Sequence, residues 1–364
     1  MSENGEVREA WGAKIEYTLS MVGYAVGLGN VWRFPYIVFK YGGGAFLLPY
    51  FIMVLAIGVP VFLIESGLGQ FASQGPLKAF DCVRCFKGLG YAMWAISVLI
   101  GVYYNVVLGW VLHYIYQAAS IFWTGEVPWA NCNPDWTSDP NFCQGGVNSN
   151  FTVYNKTTDW QHACVQTPAE LYFLKEIQGQ PMINCTQDLT EATAEDGSFT
   201  ESVFDIGQIY SRGAICLAIT WIGIAFCIAN GIKTSGKVMY VITLFPYVAL
   251  TILLIKGLTL PGAMNGIYYY IKPNMSMVFT PEVWYEATGQ IFYSTSLAMG
   301  GVITLTSFNG FRNNLVKDAV TVVLADAGTS IYGGFVIFAF LGYMAEISGK
   351  TIEDVVIGWV WNSA

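Results

Sequence analysis

Charged residues are scarce in this sequence, at 12% of 364 residues, about half the share of a soluble domain. Basic residues are scarcer still, because 17 Lys and Arg stand against 25 Asp and Glu without forming a stripe, which excludes a nucleic-acid binder. With only two histidines, no pairing of nucleophile and base is visible, so no enzyme is predicted. A hydrophobic content of 54% and an aromatic content of 16% exclude disorder. A polytopic membrane protein is the class that remains.

Seven apolar stretches are long enough to cross roughly 30 Å of hydrocarbon as helices. They are predicted at 14–38, 43–73, 90–124, 209–229, 236–257, 286–309 and 319–346. Because lipid-exposed backbone must satisfy its own hydrogen bonds, and no short alternating strands occur, the predicted fold class is an all-α polytopic membrane protein. The predicted order is an N-terminal segment (1–13), three helices (14–124), a long loop (125–208), four helices (209–346) and the start of another loop (347–364).

The short loops predict the orientation of the chain. Nine lysines and arginines, at positions 8, 14, 78, 84, 87, 233, 237, 312 and 317, fall on the side of the N-terminus, which the positive-inside bias makes cytoplasmic in a multi-pass protein of the plasma membrane. The segment 125–208, with 12 acidic and 2 basic residues, then faces outward. Four N-glycosylation sequons also fall on the predicted outer side, starting at Asn150, Asn155, Asn184 and Asn274.

Cysteines are found on both predicted sides of the membrane. Cys132 and Cys143 close a short segment of the outer loop, in the oxidising compartment, and are the predicted disulfide, whereas a pairing of Cys164 with Cys185 stays open. On the inner side, residues 82–85 form a lone CxxC motif. It fits either a metal or redox site or two free thiols, and the free thiols are favoured because no two further ligands stand nearby.

Helix-breaking residues interrupt two of the predicted spans near mid-membrane. The first span reads Gly23-Tyr-Ala-Val-Gly-Leu-Gly-Asn30-Val-Trp-Arg33-Phe-Pro35, and the sixth reads Gln290-Ile-Phe-Tyr-Ser294-Thr-Ser296-Leu-Ala-Met-Gly300-Gly301. A glycine costs roughly 1 kcal/mol inside a helix, and an unpaired charge in the membrane costs more. Interrupted spans five helices apart indicate a transporter with repeated halves and a midplane site; the alternative is that these glycines only pack helices together.

Glu65 and Asp326 lie well inside predicted spans, where ionisable groups are functional candidates. For Glu65 we expect a structural role, in which it accepts hydrogen bonds from amides freed by the unwound segments. For Asp326 we favour a role facing a cation.

The residues of the first span resemble the signature of the neurotransmitter:sodium symporter family, as does Gly42-Gly-Gly-Ala-Phe-Leu-Leu-Pro-Tyr50 after it. The segments Tyr103-Tyr-Asn105, Gln290–Ser294 and Gly342-Tyr-Met-Ala-Glu346 are similar to the same family. The resemblance covers essentially the whole chain. It implies an inverted-repeat transporter fold with helices 1 and 6 unwound, of which this chain holds seven of twelve helices. It also implies a symporter that couples Na⁺ and Cl⁻ to uptake of a neutral amino acid by alternating access.

The resemblance further implies where the sites lie. The substrate set is Ala25, Gly29, Ile100, Tyr104, Tyr293, Ser294, Ser296 and Met299. One Na⁺ site takes Ala25, Asn30, Ser294 and Asp326, and a second takes the carbonyls of Gly23 and Val26. The chloride set is Tyr50, Gln290, Ser294 and Ser330. The gates take Arg8 and Trp11 on the inner side and Arg33 on the outer side, and the resemblance places their partners on later helices of the family.

Two departures from the family pattern bear on the substrate and the ions. Asp326 stands where relatives usually carry asparagine, which adds a carboxylate to the first Na⁺ site. Gly27 stands where monoamine transporters carry an aspartate, which favours an α-amino acid because it brings its own carboxylate. The alternative hypothesis is a truncated, non-transporting protein that associates with the full-length transporter. A seven-helix receptor is disfavoured because its N-terminus would lie outside, and homo-oligomerisation stays open.

Overall fold

The computed structural model describes residues 10–131, 133, 168–179, 210–229, 231–349, 351–353 and 355. Within these residues all regular elements are helical, apart from one isolated bridge between Gly43 and Pro273, and this confirms the all-α class. The described chain forms two compact units. The first combines Met1–Gly101 with Phe226–Ser363, and the second is Val102–Ala225.

The helices are numbered here in chain order. They are α1 Lys14–Ala25, α2 Phe34–Lys40, α3 Leu47–Met53, α4 Val59–Ala72, α5 Pro76–Ala79, α6 Lys87–Ala119, α7 Ile121–Thr124, α8 Pro168–Tyr172, α9 Ser211–Ile228, α10 Ile232–Leu258, α11 Ala263–Ile271, α12 Pro281–Ser294, α13 Gly301–Thr306 and α14 Leu315–Ser348. Three π-helical turns adjoin them, at Gly29–Arg33, Val54–Gly58 and Phe173–Ile177. The first two insert an extra residue into helices that carry glycine at the turn, a common cause of a helix irregularity.

Five of the seven predicted spans are helices that are long and apolar enough to cross a membrane. They are Gly44–Ala72, Arg84–Thr124, Ser211–Ile228, Gly236–Leu258 and Leu315–Ile347. Of these, Arg84–Thr124 begins six residues before the predicted boundary at residue 90, because the 3₁₀ turn Arg84–Phe86 precedes α6. The predicted spans 14–38 and 286–309 do not form single helices within the described residues, because each is broken into two shorter pieces.

The first span breaks between Ala25 and Gly29. Helix α1 ends at Ala25, Val26 is extended, and the chain resumes as a π turn that leads into α2. The side chain of Asn30 accounts for the break, because its Oδ1 accepts the backbone N–H of Gly27 at 2.8 Å. In a continuing helix that N–H would bond to the carbonyl of Gly23. The carbonyl of Gly23 is thereby released from its usual partner.

The sixth span breaks between α12 and α13. Ser296, Ala298 and Gly300 have φ values of 52°, 62° and 80°, in the left-handed region. This region costs a residue with a side chain about 1–2 kcal/mol, so Ser296 and Ala298 are held there by their surroundings. Glu65 supplies one such contact, since its Oε1 accepts the N–H of Ala298 at 2.6 Å. The structural role expected for Glu65 is confirmed at this amide.

The buried core of the first unit is aromatic where α2, α3, α11 and α14 meet. Phe34, Tyr50, Tyr270 and Phe338 are each at most 1% exposed. Phe34 packs on Tyr50 with ring centroids 4.9 Å apart, and Tyr270 packs on Phe338 at 4.8 Å. This packing fixes α14, the helix that carries Asp326, against the outer half of the first span.

In the second unit, the short helix α8 packs against the part of α6 that belongs to this unit. Tyr172 is buried among Trp110, Tyr114 and Trp129, and its Oη lies 3.0 Å from Nε2 of His113. Burial raises the pKa of the Tyr172 phenol, so this hydroxyl is neutral. The buried His113 thus has a hydrogen-bond partner within the second unit, which is consistent with a structural role.

Candidate functional site

The side-chain amide of Asn30 lies at the centre of a cluster of oxygen atoms. Its Nδ2 is 2.7 Å from Asp326 Oδ1, 2.8 Å from Ser330 Oγ, 2.9 Å from Ser294 Oγ and 3.3 Å from the carbonyl of Asp326. Asn30, Ser294, Asp326 and Ser330 are all at most 4% exposed. These residues come from the first span, α12 and α14, so three segments far apart in sequence converge at one point.

Within the part of the chain that the structure describes, hydrogen-bond donors hold the carboxyl group of Asp326, and no salt bridge reaches it. Ser294 Oγ lies 2.8 Å from both of its oxygens, and Asn30 Nδ2 adds a further donor. A buried carboxylate is stable only where it is paired or hydrogen-bonded. The N–H₂ group of Asn30 supplies partial positive charge to the surrounding oxygens, as a small cation would. Rotating that amide by half a turn would replace this donor with a fourth side-chain oxygen.

Three of the predicted ligands of the first Na⁺ site are therefore brought together, namely Asn30, Ser294 and Asp326. Ala25 is buried and is the last residue of α1, close in sequence to the break. Gly23 and Val26, predicted for the second Na⁺ site, flank this helix end, where the chain stops forming regular helical hydrogen bonds. Unpaired carbonyls at a helix C-terminus carry partial negative charge, which suits a cation.

Members of the predicted chloride set border the same cluster. Ser294 and Ser330 both contact Asn30, and Gln290 Nε2 donates to the carbonyl of Gly29 at 3.4 Å. The hydroxyl of Tyr50 is buried and faces Ser330 without a hydrogen bond of normal geometry, and Oε1 of Gln290 has no hydrogen-bond partner among the described residues. Buried polar atoms without a well-formed hydrogen bond are uncommon, and the Tyr50 hydroxyl is a donor that an anion could accept.

Six of the predicted substrate residues lie at or next to the two helix breaks. A Cβ on Gly29 would lie 3.0 Å from Cε1 of Tyr293, so these two residues are in contact across the breaks. Ser294 ends α12, and Ser296 and Met299 lie in the non-helical segment after it. The carbonyl of Met299 accepts a hydrogen bond from Ser97 on α6.

Two predicted substrate residues on α6 fall in different compact units. Ile100 lies in the first unit, and Tyr104 lies one turn later in the second unit. Both belong to the continuous helix Lys87–Ala119.

Comparison with known proteins identifies the family. A profile described as the "Sodium:neurotransmitter symporter family" matches residues 8–358. The chain belongs to this family. A glycine transporter 1 of Xenopus laevis, described as sodium- and chloride-dependent, is 39% identical over 96% of this chain and 53% of its own length. A sodium-dependent dopamine transporter of Caenorhabditis elegans is 40% identical over 96% of this chain and 55% of its own length.

A solved structure supports the same fold. The crystal structure of MhsT in complex with L-phenylalanine matches 98% of this chain and 67% of its own chain, with a TM-score of 0.65 and 25% identity. The inverted-repeat transporter fold with unwound helices 1 and 6 is thus confirmed, and the chain spans about half the length of the curated relatives it matches. Members of this symporter family are secondary transporters rather than enzymes, as the sequence predicts.

The gate residues of this symporter chain differ in what surrounds them. Arg33 packs over the ring of Tyr293, with its Cζ 4.9 Å from the ring centroid, and its Nη2 lies 3.8 Å from Oε2 of Glu286 on α12. The sequence did not predict Glu286 as a partner. The sequence places Glu286 about two helical turns before Ser294 on the same helix, which makes it a candidate partner. It does not show in which direction the side chain of Glu286 points.

On the inner side, Trp11 Nε1 donates to the carbonyl of Leu305 on α13 at 3.1 Å. A second contact there was also missed by sequence reasoning. Lys14 Nζ lies 3.2 Å from Oδ1 of the buried Asp318, which joins the start of α1 to the start of α14. Arg8, the other predicted inner gate residue, lies outside the described residues.

The predicted modifications fall mostly outside the described residues. Cys132, Cys143, Asn150, Asn155 and Asn184 are not among them. Asn274 is described: it is exposed, and its Oδ1 accepts a hydrogen bond from Oγ of Ser276, the third residue of its sequon, at 2.7 Å.

Proposed function

We propose that the protein to which this chain belongs couples the movement of Na⁺ and Cl⁻ to uptake of a neutral amino acid. The observation that carries the proposal is the convergence of Asn30, Ser294, Asp326 and Ser330 between the two broken helices and α14. Their oxygens are hard ligands of the kind that alkali and alkaline-earth cations prefer. Because Asn30 and Ser294 lie at the two helix breaks, the site is sensitive to movement of the half-helices.

In this proposal Na⁺ takes the place that the N–H₂ group of Asn30 holds among the oxygens. The amide turns its Oδ1 to the ion, and the carboxylate of Asp326 supplies the full negative charge. The N–H of Gly27 then loses Oδ1 as its acceptor, so cation binding is coupled to the backbone conformation of the first break. This coupling links the ion to the segment that is expected to carry substrate.

The proposed chloride ligands are Tyr50, Gln290, Ser294 and Ser330, which offer hydroxyl and amide donors. The buried Tyr50 hydroxyl, which faces Ser330 without a hydrogen bond of normal geometry, supports this set. Asp326 carries a negative charge next to Ser294 and Ser330 and would repel an anion bound there. Chloride is therefore expected to bind only when the neighbouring cation is present.

The proposed substrate is a neutral α-amino acid. At position 27 a glycine leaves the first break without an anion for a substrate amine, and a substrate carboxylate would be attracted to the adjacent Na⁺. Ile100, Tyr293 and Met299 would line its side chain with largely apolar surface. That MhsT was solved with L-phenylalanine supports an amino acid as the substrate class.

The proposed setting is the plasma membrane, with a cytoplasmic N-terminus and an outer loop that carries the Cys132–Cys143 disulfide and most of the glycans. The basic residues of the predicted inner loops and the exposed Asn274 sequon support this orientation.

Radiolabelled uptake by the full-length natural protein tests the proposal. Cells expressing it are given a panel of amino acids, dopamine and GABA, with Na⁺ and Cl⁻ replaced one at a time. We expect uptake of neutral amino acids that is lost without Na⁺ and reduced without Cl⁻. Uptake of an amine instead would overturn the substrate class. A protein that transports nothing but alters the surface level of a co-expressed relative would support the non-transporting alternative.

A further inference from the structure

Three hydroxyl-bearing residues follow one another at single-turn spacing along α10: Thr243, Tyr247 and Thr251. The spacing of four residues places them on one face of the helix. All three lie within the apolar stretch Gly236–Leu258, where no water is available to hydrogen-bond them. Each of these hydroxyls therefore needs a partner within the protein.

Thr243 contacts the inner half of the broken first span. Its Oγ1 donates to the carbonyl of Leu19 on α1 at 3.1 Å. Gly23 lies one turn further along α1, and a Cβ at that position would overlap Oγ1 of Thr243. The close approach of α10 to α1 thus depends on the missing side chain of Gly23.

Two tyrosines join α10 and α14 by reciprocal hydrogen bonds. Tyr247 Oη on α10 lies 2.7 Å from Thr329 Oγ1 on α14, and Tyr332 Oη on α14 donates to Thr251 Oγ1 on α10 at 2.9 Å. Each threonine gives its single proton to a carbonyl four residues earlier, Thr329 to Ala325 and Thr251 to Tyr247, both at 2.7 Å. In both pairs the tyrosine must therefore be the donor.

The first of these pairs lies beside the oxygen cluster. Thr329 is 3% exposed, follows Asp326 by three residues and immediately precedes Ser330. Asp326 and Ser330 are the two residues of α14 that contact Asn30. Tyr247 therefore holds, from the neighbouring helix, the turn of α14 that carries half of the cluster.

We propose that Thr243, Tyr247 and Thr251 form a hydroxyl ladder that positions the cation site relative to the inner half of the first span. The ladder joins α10 to α14 by the two tyrosine–threonine bonds and to α1 by the bond from Thr243. Tyr247 is a positioning residue, because it reaches the proposed ligands only through Thr329. A movement of α1 away from α10 breaks one bond, whereas α10 and α14 remain joined by two.

This inference rests on the proposed Na⁺ site, and it differs from a purely structural role in a measurable way. Hydroxyl pairs between membrane helices commonly serve only to hold them together. Loss of such a pair would lower the amount of folded protein and leave the affinity for Na⁺ as it was. Loss of a positioning bond would also displace Asp326 and Ser330 and so weaken the binding of Na⁺.

The test measures thermal stabilisation of the full-length natural protein by Na⁺, with choline as the replacement cation. For Tyr247→Phe we expect the Na⁺ concentration at half-maximal stabilisation to rise about three- to tenfold, the range expected for one neutral hydrogen bond. Tyr240→Phe is the matched control, since it removes the same group from the same helix at a residue that takes part in none of these bonds. It should leave the Na⁺ concentration unchanged. Tyr332→Phe, further along α14 from Asp326, should produce a smaller rise than Tyr247→Phe.

A second pair of variants keeps the test decisive if Tyr247→Phe does not fold. Thr329→Ser retains the accepting hydroxyl and should match the wild type, whereas Thr329→Val loses it and should behave like Tyr247→Phe. Equal half-maximal Na⁺ concentrations in the wild type, Tyr247→Phe and Thr329→Val would overturn the ladder while leaving the proposed function intact. A wild type that Na⁺ does not stabilise would instead overturn the proposed Na⁺ site itself.

Discussion

At the scale of single residues, the site depends on one side chain with two roles. Asn30 Oδ1 ends the regular helix by accepting the N–H of Gly27, and Asn30 Nδ2 faces Ser294, Asp326 and Ser330. The same amide therefore determines both the break and the chemistry beside it. A leucine could do neither and an ionised aspartate could only accept, whereas the asparagine amide accepts through its oxygen and donates through its nitrogen.

Asp326→Asn in the full-length protein tests the charge at this point. A full negative charge is replaced by a dipole, and a unit charge about 4 Å away is worth about 4 kcal/mol before its desolvation cost is deducted. We expect the Na⁺ concentration at half-maximal uptake to rise on the order of tenfold. An unchanged Na⁺ dependence, with surface expression matched, would mean that the carboxylate does not face the cation.

Met299→Trp tests the proposed substrate pocket. Methionine is unbranched and adaptable, so we expect the wild type to accept medium aliphatic amino acids such as leucine and methionine. Each methylene contact is worth about 1–3 kcal/mol at most, and the larger indole should remove this space and favour glycine and alanine. Competition uptake compares leucine with glycine in both proteins. If their rank stays the same, Met299 does not line the pocket.

At the scale of helices, close packing decides where half-helices can sit. Helix α4 approaches the inner half of the sixth span so closely that a Cβ on Gly69 would overlap Oγ1 of Thr306 and the carbonyl of Ile303. Gly67, on the same helix, has no atom within 4 Å of such a Cβ. Glu65 lies one turn earlier on α4 and accepts the N–H of Ala298 in the break. Helix α4 therefore contacts both the break and α13.

Gly69→Ala should therefore destabilise the protein, and Gly67→Ala is its matched control. Forcing a methyl group into a packed contact costs about 1–3 kcal/mol, whereas alanine in an open helical position gains up to about 1 kcal/mol over glycine. We expect a lower melting temperature for Gly69→Ala and an equal or higher one for Gly67→Ala. Equal losses in both variants would argue against the α4–α13 contact as the cause.

At the scale of the whole molecule, the chain contains both broken helices and the cluster between them, and it spans about half the length of its curated relatives. Arg33 pairs loosely with Glu286 at 3.8 Å, and both side chains are partly exposed. Such a pair contributes little by itself, because solvent screens it. The proposed transport cycle requires each gate to open and close around the site.

We expect residues 1–364 expressed alone to show no Na⁺-dependent accumulation of any amino acid. For the proposed second Na⁺ site, the family resemblance assigns two ligands to these residues, the carbonyls of Gly23 and Val26, and a cation needs more than two. Uptake into cells expressing this chain alone is compared with uptake by the full-length protein at equal surface expression. Accumulation above that of untransfected cells would contradict the prediction.

The sequence alone determined the class of protein, the approximate bounds of five spans and the positions of the two interruptions. These features depend on hydropathy and on helix-breaking residues, which act over a few neighbouring positions. It also indicated Asn30, Ser294 and Asp326 as one group, through the family resemblance. The tertiary structure decided what the sequence could not: that Asn30 turns its N–H₂ to Asp326, that Glu286 faces Arg33 and that Tyr247 donates to Thr329. Asn30 and Asp326 lie 296 positions apart, and Tyr247 and Thr329 lie 82 apart. Contacts at such separations depend on how the helices pack and rotate, and no local pattern encodes that.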